Sequence, residues 1–449
     1  MKLPKSAPKI AGDQILAALQ ALSNPEVQEL INHANSEYFH WEEFKYRRMP
    51  AGLKAEQLWQ LVKYSRSTGR RTLPLKDSKE RAFSYWLPPA AMVSLHEVDR
   101  WGGSTTLKID GSASLESMRE QVVVSSLMEE AIATAQIEGA ATTRVVAKAM
   151  LRENRKPRDR SEQMIFNGYS TMQLLRKRRD QKLSLDFLFE IQSSMTNQTL
   201  DDATAAGRLR TSKDNIAIVD VRNDDVLFTP PPAEQLGRRL QALIDFANAP
   251  TGAAEEFIHP LVKASILHFW LAYEHPFVDG NGRTARAVFY WFMLKSGYWL
   301  FEFLTVSRVI VKKPGAYYKS FLYSEHDEED LTYSLLFLLE ATQQAMADLR
   351  DYLRLKQEEQ REVARTLRSF PDLNHRQRSV LDQLLKHPDD VVTFKGHAST
   401  HDITIVTARA DLLDLTSRKL LDEVSLGRQR GFIPVANLAE LIAAKAGKA

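Results

Sequence analysis

The sequence predicts a mainly α-helical protein with a β-hairpin set into its middle and a small α/β domain towards its C-terminal end. Three observations carry that expectation. Helical spacing runs through most of the 449 positions, as at Met118, Val122, Leu127, Ala131 and Thr134, three to five apart. β-prone runs are few and short, the clearest pair being Asn215–Val219 and Asp225–Phe228 around Arg222-Asn223-Asp224. After Pro371 the texture changes to short helices mixed with β-prone pieces.

Taken in order, residues 1–110 read as a helical module, with amphipathic stretches starting at Gln14–Leu19 and Gln57–Val62. Tyr38, Phe39, Trp41, Phe44 and Tyr46 lie between them and read as packing between helices. Gly102-Gly103-Ser104 and Gly111-Ser112 mark a loop-rich passage. A helix is expected over Leu115–Ile137, stopped by Gly139 at its C′ position. Further helices follow over Arg144–Leu151, Glu162–Arg176 and Leu183–Met195. The basic clusters Arg152–Arg160 and Arg176–Lys182 are diluted by Asp, Glu or Asn and read as solvated faces. The β-hairpin ends at Pro230-Pro231-Pro232; one hairpin cannot form a core alone, so it reads as a flap. Helical patterning resumes over Glu234–Ala247, Phe257–Tyr273, Ala287–Lys295, Tyr317–Tyr323 and Tyr333–Arg354. The charged tract Lys356–Arg368 reads as a helical linker over 351–370. In 371–449, helices are expected over Arg376–Leu385 and Thr404–Leu415, with Leu420–Val424 and Gly431–Ile433 pairing as a wing.

Composition narrows the function classes. Sixty basic residues against 57 acidic ones leave a formal net charge of +3, which gives no global electrostatic argument for nucleic acid or a membrane surface. The absence of cysteine excludes disulfides, thiol nucleophiles and cysteine metal sites, and fits a reducing cytosol. The N-terminus has no apolar h-region, and the longest apolar run, Ala287–Leu294, is far short of the roughly 20 residues a membrane span needs. A cytoplasmic protein without a membrane segment is therefore expected.

The chemistry concentrates in His275-Pro276-Phe277-Val278-Asp279-Gly280-Asn281-Gly282-Arg283-Thr284-Ala285-Arg286, a polar loop between two apolar helices. Its glycines let successive N–H groups turn inward, and a helix N-terminus follows; both features attract phosphate oxygens. Arg283 and Arg286 stand on neighbouring positions of that helix. Gly280–Ala285 also fits the short dinucleotide fingerprint G-x-G-x-x-A, but a Rossmann loop must follow a strand and the run before this one is helical.

These twelve residues match in full the signature of the Fic family, which the chain resembles over about residues 115–345. Gly207-Arg208-Leu209-Arg210 and Pro230-Pro231 fit the same resemblance. It implies a Fic-type helical bundle over 111–350, and an enzyme transferring AMP from ATP to a Tyr, Thr or Ser hydroxyl of a target protein. In that reading His275 is the general base, Asp279 holds Mg²⁺ against the α- and β-phosphates, and Gly280, Asn281 and Gly282 bind phosphate oxygens. Arg283 contacts the β-phosphate region and Arg286 the γ-phosphate.

A second resemblance lies upstream. Thr134-Ala135-Gln136-Ile137-Glu138-Gly139 is similar to the family's inhibitory-helix motif, [S/T]-x-x-x-E-[G/N]. A carboxylate in a last helical turn faces the negative end of the dipole and calls for a cationic partner, which the family suggests is Arg286. Glu138 there would take the γ-phosphate's clamp and repel the phosphate by about 4 kcal/mol at 4 Å and an effective dielectric of 20.

The remaining candidates are weaker. His259 and His268 read as packing or hydrogen-bonding residues; His397 and His401, four apart, lack further zinc ligands. Tyr317 and Tyr318 are candidates for self-modification or for core packing. Residues 371–449 resemble a winged helix, with Val406–Leu412 as recognition helix and the near-balance of charge leaving DNA and protein as alternative partners. Two further alternatives stay open: an enzyme that also or instead removes AMP, and a DNA-binding regulator whose Fic domain senses nucleotide. The oligomeric state, a homodimer included, is also open.

Overall fold

The computed structural model describes residues 3–102, 119–220, 225–250, 257–369, 372–386, 390–426, 429–438 and 440–442. The sequence features at Gly103-Ser104, Gly111-Ser112, 115–118 and Arg222-Asn223-Asp224 lie outside them. The chain divides into two units, one of residues 1–105 and 123–347, the other of residues 106–122 and 348–449.

The first unit begins with α1 (Gly12–Gln20), α2 (Pro25–Ser36), α3 (Trp41–Phe44) and α4 (Ala55–Ser67). Asn24 caps α2 through the Glu26 N–H, with Pro25 at the first position. Tyr38, Phe39, Trp41 and Phe44 are buried, and Trp41 and Phe44 pack at tilted angles against Trp59; Tyr46 is exposed. A hairpin of β1 (Arg71–Lys76) and β2 (Ala82–Tyr85) follows, then α5 (Pro89–Gly102). The helical reading of this module missed that hairpin. Leu73, Leu75, Phe83 and Tyr85 alternate inward as strands require, but Pro74 within the run masks the signal. These N-terminal elements are tied to the rest of the unit by buried polar contacts. Arg66 donates to the carbonyls of Ala34 and Phe39 and to the Tyr333 hydroxyl, and Tyr38 donates to Asp330.

The unit continues with α6 (Arg119–Ile137), α7 (Arg144–Arg152), α8 (Arg160–Lys177) and α9 (Leu185–Thr196). Asp159 and Ser184 cap α8 and α9. A short antiparallel hairpin, β3 (Ile218–Asp220) with β4 (Asp225–Phe228), forms where the sequence placed one. Next come α10 (Leu236–Asn248), α11 (Pro260–Glu274), α12 (Asn281–Lys295), α13 (Val306–Lys312), α14 (Pro314–His326) and α15 (Thr332–Ser369), whose residues from 348 onward belong to the second unit.

α11 and α12 are the centre of this unit. Both are buried almost all round; α11 is largely apolar, and α12 is apolar from Ala287 to Leu294 while its first two turns bury Asn281, Arg283, Thr284 and Arg286. Phe269, Trp270, Phe289 and Trp291 are each at most 2% exposed, so each contributes roughly 1.5–3 kcal/mol of burial. The tight turn between these two helices is the His275–Gly280 loop.

The second unit holds α16 (His375–Lys386), β5 (Val392–Thr393), α17 (Phe394–His401), α18 (Ile405–Ser417), β6 (Leu421–Leu426) and β7 (Gln429–Pro434). Its antiparallel sheet has the order β5-β7-β6, so the two runs expected to form a wing do pair. Leu381, Leu384, Leu412, Leu415 and Phe432 form the core. This element order is compatible with a winged helix. The sequence reading missed β5 and α17, whose junction is fixed by the Thr393 hydroxyl capping Gly396. His397 pairs with the buried Asp411, which also takes Arg376 and Asn374. Among the described residues no helix is long and apolar enough to cross a membrane.

Candidate active site

His275 is the C-cap of α11 in a left-handed conformation, φ 46° and ψ 55°. Such a backbone costs a β-carbon-bearing residue roughly 1–3 kcal/mol and has to be held by its surroundings. Arg210 does much of the holding. Its side chain donates to the carbonyls of His275 (2.7 Å), Glu274 (3.2 Å) and Pro231 (2.6 Å), and its N–H donates to Pro276 (2.8 Å). It thereby joins the segment just after β4 to the 275–280 loop. One residue before His275, Glu274 is fully buried and accepts two bonds from Arg239, at 2.7 and 2.9 Å, and one from Trp270.

The imidazole itself is poised by one contact. His275 Nδ1 lies 3.4 Å from the Ala272 carbonyl, which assigns the proton to Nδ1 and leaves the Nε2 lone pair free. Burial pushes its pKa down to about 4, against upward pulls from the Ala272 carbonyl and Glu138. The ring is therefore neutral at pH 7 and able to accept a proton.

Beyond His275 the loop closes on itself. Phe277 is fully buried, and the Asn281 side chain clamps both of its backbone groups, accepting from its N–H at 2.9 Å and donating to its carbonyl at 2.8 Å. The side chain is thus engaged on Phe277, and its backbone N–H belongs to the uncapped first turn of α12. Gly280, at φ 83°, is the N-cap of α12; a Cβ there would meet Thr196 Cγ2 at 2.5 Å. No side chain caps this helix end, so its first N–H groups are left for a ligand.

Asp279 has a half-exposed carboxylate that accepts from the Gly280 N–H and from Arg283 Nη2 at 3.2 Å. Arg160, at the start of α8, approaches it at 3.9 Å. Gln192, missed in the sequence, donates to the Asp279 carbonyl and accepts from the Gly207 N–H. Arg283 is buried, with bonds to the Met195 carbonyl and Asp279 and an unpartnered Nε. Arg286 is buried too. It donates through Nε to the Thr134 hydroxyl (2.7 Å) and through Nη2 to the Thr134 carbonyl (3.2 Å) and Glu138 Oε1 (2.8 Å). Its Nη1 has no hydrogen-bond partner among the described residues.

Glu138 is set in place by the end of α6. The Gly139 N–H donates to Gln136, and the Ala140 N–H to Ala135, with Gly139 at φ 91°. This Schellman stop fixes Glu138 as the C-cap. Its carboxylate reaches over α12, so close that a Cβ on Gly282 would lie 2.4 Å from Oε1 and 3.3 Å from Arg286 Nη1. A carboxylate thus stands directly over the anion-attracting turn. The geometry brings His275, Asp279, Gly280, Gly282, Arg283, Arg286 and Glu138 into one place. Arg210, Gln192 and Thr134 join them. Of these three, Thr134 and Arg210 lay within quoted motifs without an assigned role.

Residues 182–293 match the family model described as the Fic/DOC family. Over that segment the chain resembles a Fic domain. A protein adenylyltransferase fic-1 from Caenorhabditis elegans is 32% identical over 125 residues, covering 28% of this chain and 22% of that protein. A protein adenylyltransferase Fic from Nematostella vectensis is 36% identical over 69 residues, covering 15% of this chain and 16% of that one. The chain therefore spans about a fifth of the length of the curated relatives it matches. Among solved structures, a Fic family protein from Desulfovibrio desulfuricans G20 aligns with 78% of this chain and 98% of its own at a TM-score of 0.50 and 17% identity. A Fic-1 fragment from C. elegans aligns with 77% of this chain and 88% of its own, also at 0.50, with 18% identity. These likenesses show a Fic fold around the loop described above.

Proposed function

We propose that this chain is a protein adenylyltransferase that moves AMP from ATP to a hydroxyl of a protein substrate and is restrained by its own Glu138. The observation that carries the proposal is a neutral, strained His275 beside an uncapped helix N-terminus with two buried arginines. In the reaction, His275 Nε2 takes the hydroxyl proton of the target Tyr, Thr or Ser. The freed oxygen forms a bond to the α-phosphorus as the bond to the bridging oxygen of pyrophosphate breaks. The first N–H groups of α12, including those at Asn281 and Gly282, receive the phosphate oxygens on which charge builds. Arg283 lies towards the β-phosphate. Arg286 offers the γ-phosphate its unpartnered Nη1, an orphaned buried donor that suits an anion.

Mg²⁺ fits as a cation shared with the nucleotide. Asp279 offers one half-exposed carboxylate, and no cluster of three or more metal-ligating side chains occurs among the described residues. One or two carboxylates plus substrate phosphates is the usual Mg²⁺ arrangement. Bound there, the ion would neutralise phosphate charge; Asp279 would hold it while Arg283 kept the carboxylate aimed.

Glu138 opposes this chemistry by holding Arg286 Nη2 and placing a like charge over Gly282, where phosphate would approach. The same carboxylate could orient a water for AMP removal, which would make the enzyme bifunctional. The flap is the proposed strip along which a target backbone pairs. Tyr318, 45% exposed, is the better self-modification candidate than the buried Tyr317. α18 exposes Ile405, Val406 and Arg409, an apolar face with one cation; this favours a protein partner over duplex DNA, which asks for clustered cations. A reducing cytosol is the proposed compartment.

The test uses ATP labelled at the α- or the γ-phosphate. Label entering protein from the α-position only, and lost in His275→Ala, is expected. Transfer of γ-label, or undiminished activity when His275→Ala is added to Glu138→Gly, would overturn the reading.

A further inference from the structure

Glu138 works only if α6 is held in one register against α12, and the last turn of a helix is a poor place to fix it. The described contacts show where the fixing occurs. Glu130, Thr134 and Glu138 are spaced by four and share one face of α6; Gly282, Arg286 and Tyr290 are spaced by four along α12. The two series meet in opposite directions. Tyr290 donates to Glu130 Oε2 at 2.8 Å, Arg286 donates to Thr134, and Glu138 lies over Gly282 while accepting from Arg286.

The Glu130 end is far more firmly built than the Glu138 end. Glu130 is 2% exposed. Besides the Tyr290 hydroxyl it accepts the Ser307 N–H at 3.1 Å and the Ser307 hydroxyl, both from the start of α13. Tyr290 accepts in turn from the Val306 N–H at 2.8 Å, so three helices converge on one carboxyl. Glu138 has the single Arg286 bond and is partly exposed. Eight residues of helix separate the two glutamates, about 12 Å, so Glu130 cannot touch a nucleotide bound where Glu138 reaches.

We infer that Glu130, with Tyr290 and Ser307, is a positioning site that sets the register of α6 on α12 and so delivers Glu138 to Arg286. The inference rests on the autoinhibited adenylyltransferase reading above. A slide of one residue's rise, ~1.5 Å, with the turn that accompanies it, is enough to carry Glu138 off Arg286 Nη2. Weakening the hub should release the enzyme instead of crippling it, and that sign separates positioning from mere structural support.

Glu130→Gln and the isosteric Tyr290→Phe are the variants to make, with melting curves to verify folding. At subsaturating ATP each should raise AMP transfer about tenfold, through a lower KM for ATP, as expected for loss of one bond to a charged group. Added to Glu138→Gly, neither should give a further gain. A raised Glu138→Gly protein beside folded Glu130→Gln and Tyr290→Phe proteins at or below the parent's rate sinks this inference alone. A Glu138→Gly protein no faster than the parent sinks the autoinhibition reading and this inference with it.

Discussion

Two glutamate–arginine pairs flank the His275–Arg286 loop, and they differ in almost every physical respect. Glu274 and Arg239 lie in the core, side chains 0% and 6% exposed, joined by two bonds with Trp270 adding a third. Glu138 and Arg286 share one bond, and the Glu138 side chain is 28% exposed. The first pair is a brace: neither partner can leave without stranding a buried charge. In the proposed reading the second is a latch. If Glu138 swings away, Arg286 keeps both bonds to Thr134 and turns its free donors to phosphate. A site that must be held rigid and also be switched needs one pair of each kind.

The sharpest way to break that comparison is to unpair each in turn. Arg239→Met strands Glu274 in the core and should cost about 3–5 kcal/mol in urea unfolding. Glu138→Gly should cost less, about 1–3 kcal/mol at most, because Arg286 retains partners. Equal losses would show that the two pairs are not brace and latch. Next in size, Arg286→Ala should lower AMP transfer by roughly ten- to a hundredfold through a higher KM for ATP, and should abolish any gain from Glu138→Gly. A gain that survives would mean that Glu138 acts elsewhere.

The smallest effect concerns pH. Burial holds His275 at about 4, so the base form is lost only as pH falls through that region. Since kcat/KM reports the free enzyme, its acid limb should lie well below 6.5, with a level profile from pH 8 to beneath that value. Glu138 pulls the His275 pKa upward, so the limb of the Glu138→Gly protein should lie lower still. A limb at the ordinary histidine value in both proteins would contradict the buried, neutral ring.

How much of this was legible in the sequence follows from distance along the chain. The His275–Arg286 loop is contiguous, so its residues and their chemistry could be read directly, and the amphipathic helices announce themselves by period. Glu138 could be read because it lies in a short motif and sits uncomfortably at a helix end. What depended on the closed fold was hidden. Asn281 turns back on Phe277 because the loop curls, and the left-handed strain falls on His275, although glycines stand nearby. Arg210 meets the loop across 65 residues and Glu130 meets Tyr290 across 160, with no local pattern to mark either. The β1–β2 hairpin was obscured by one proline.

The central claim is that Glu138 restrains an otherwise competent site. Intact-mass spectrometry of the parent and Glu138→Gly proteins after incubation with ATP and Mg²⁺, together with labelled-ATP initial rates, tests it most directly. The account predicts a higher transfer rate for Glu138→Gly and, where the chain serves as its own acceptor, a mass increase of one or more AMP groups lost on His275→Ala. Indistinguishable rates and masses for the two proteins would contradict it.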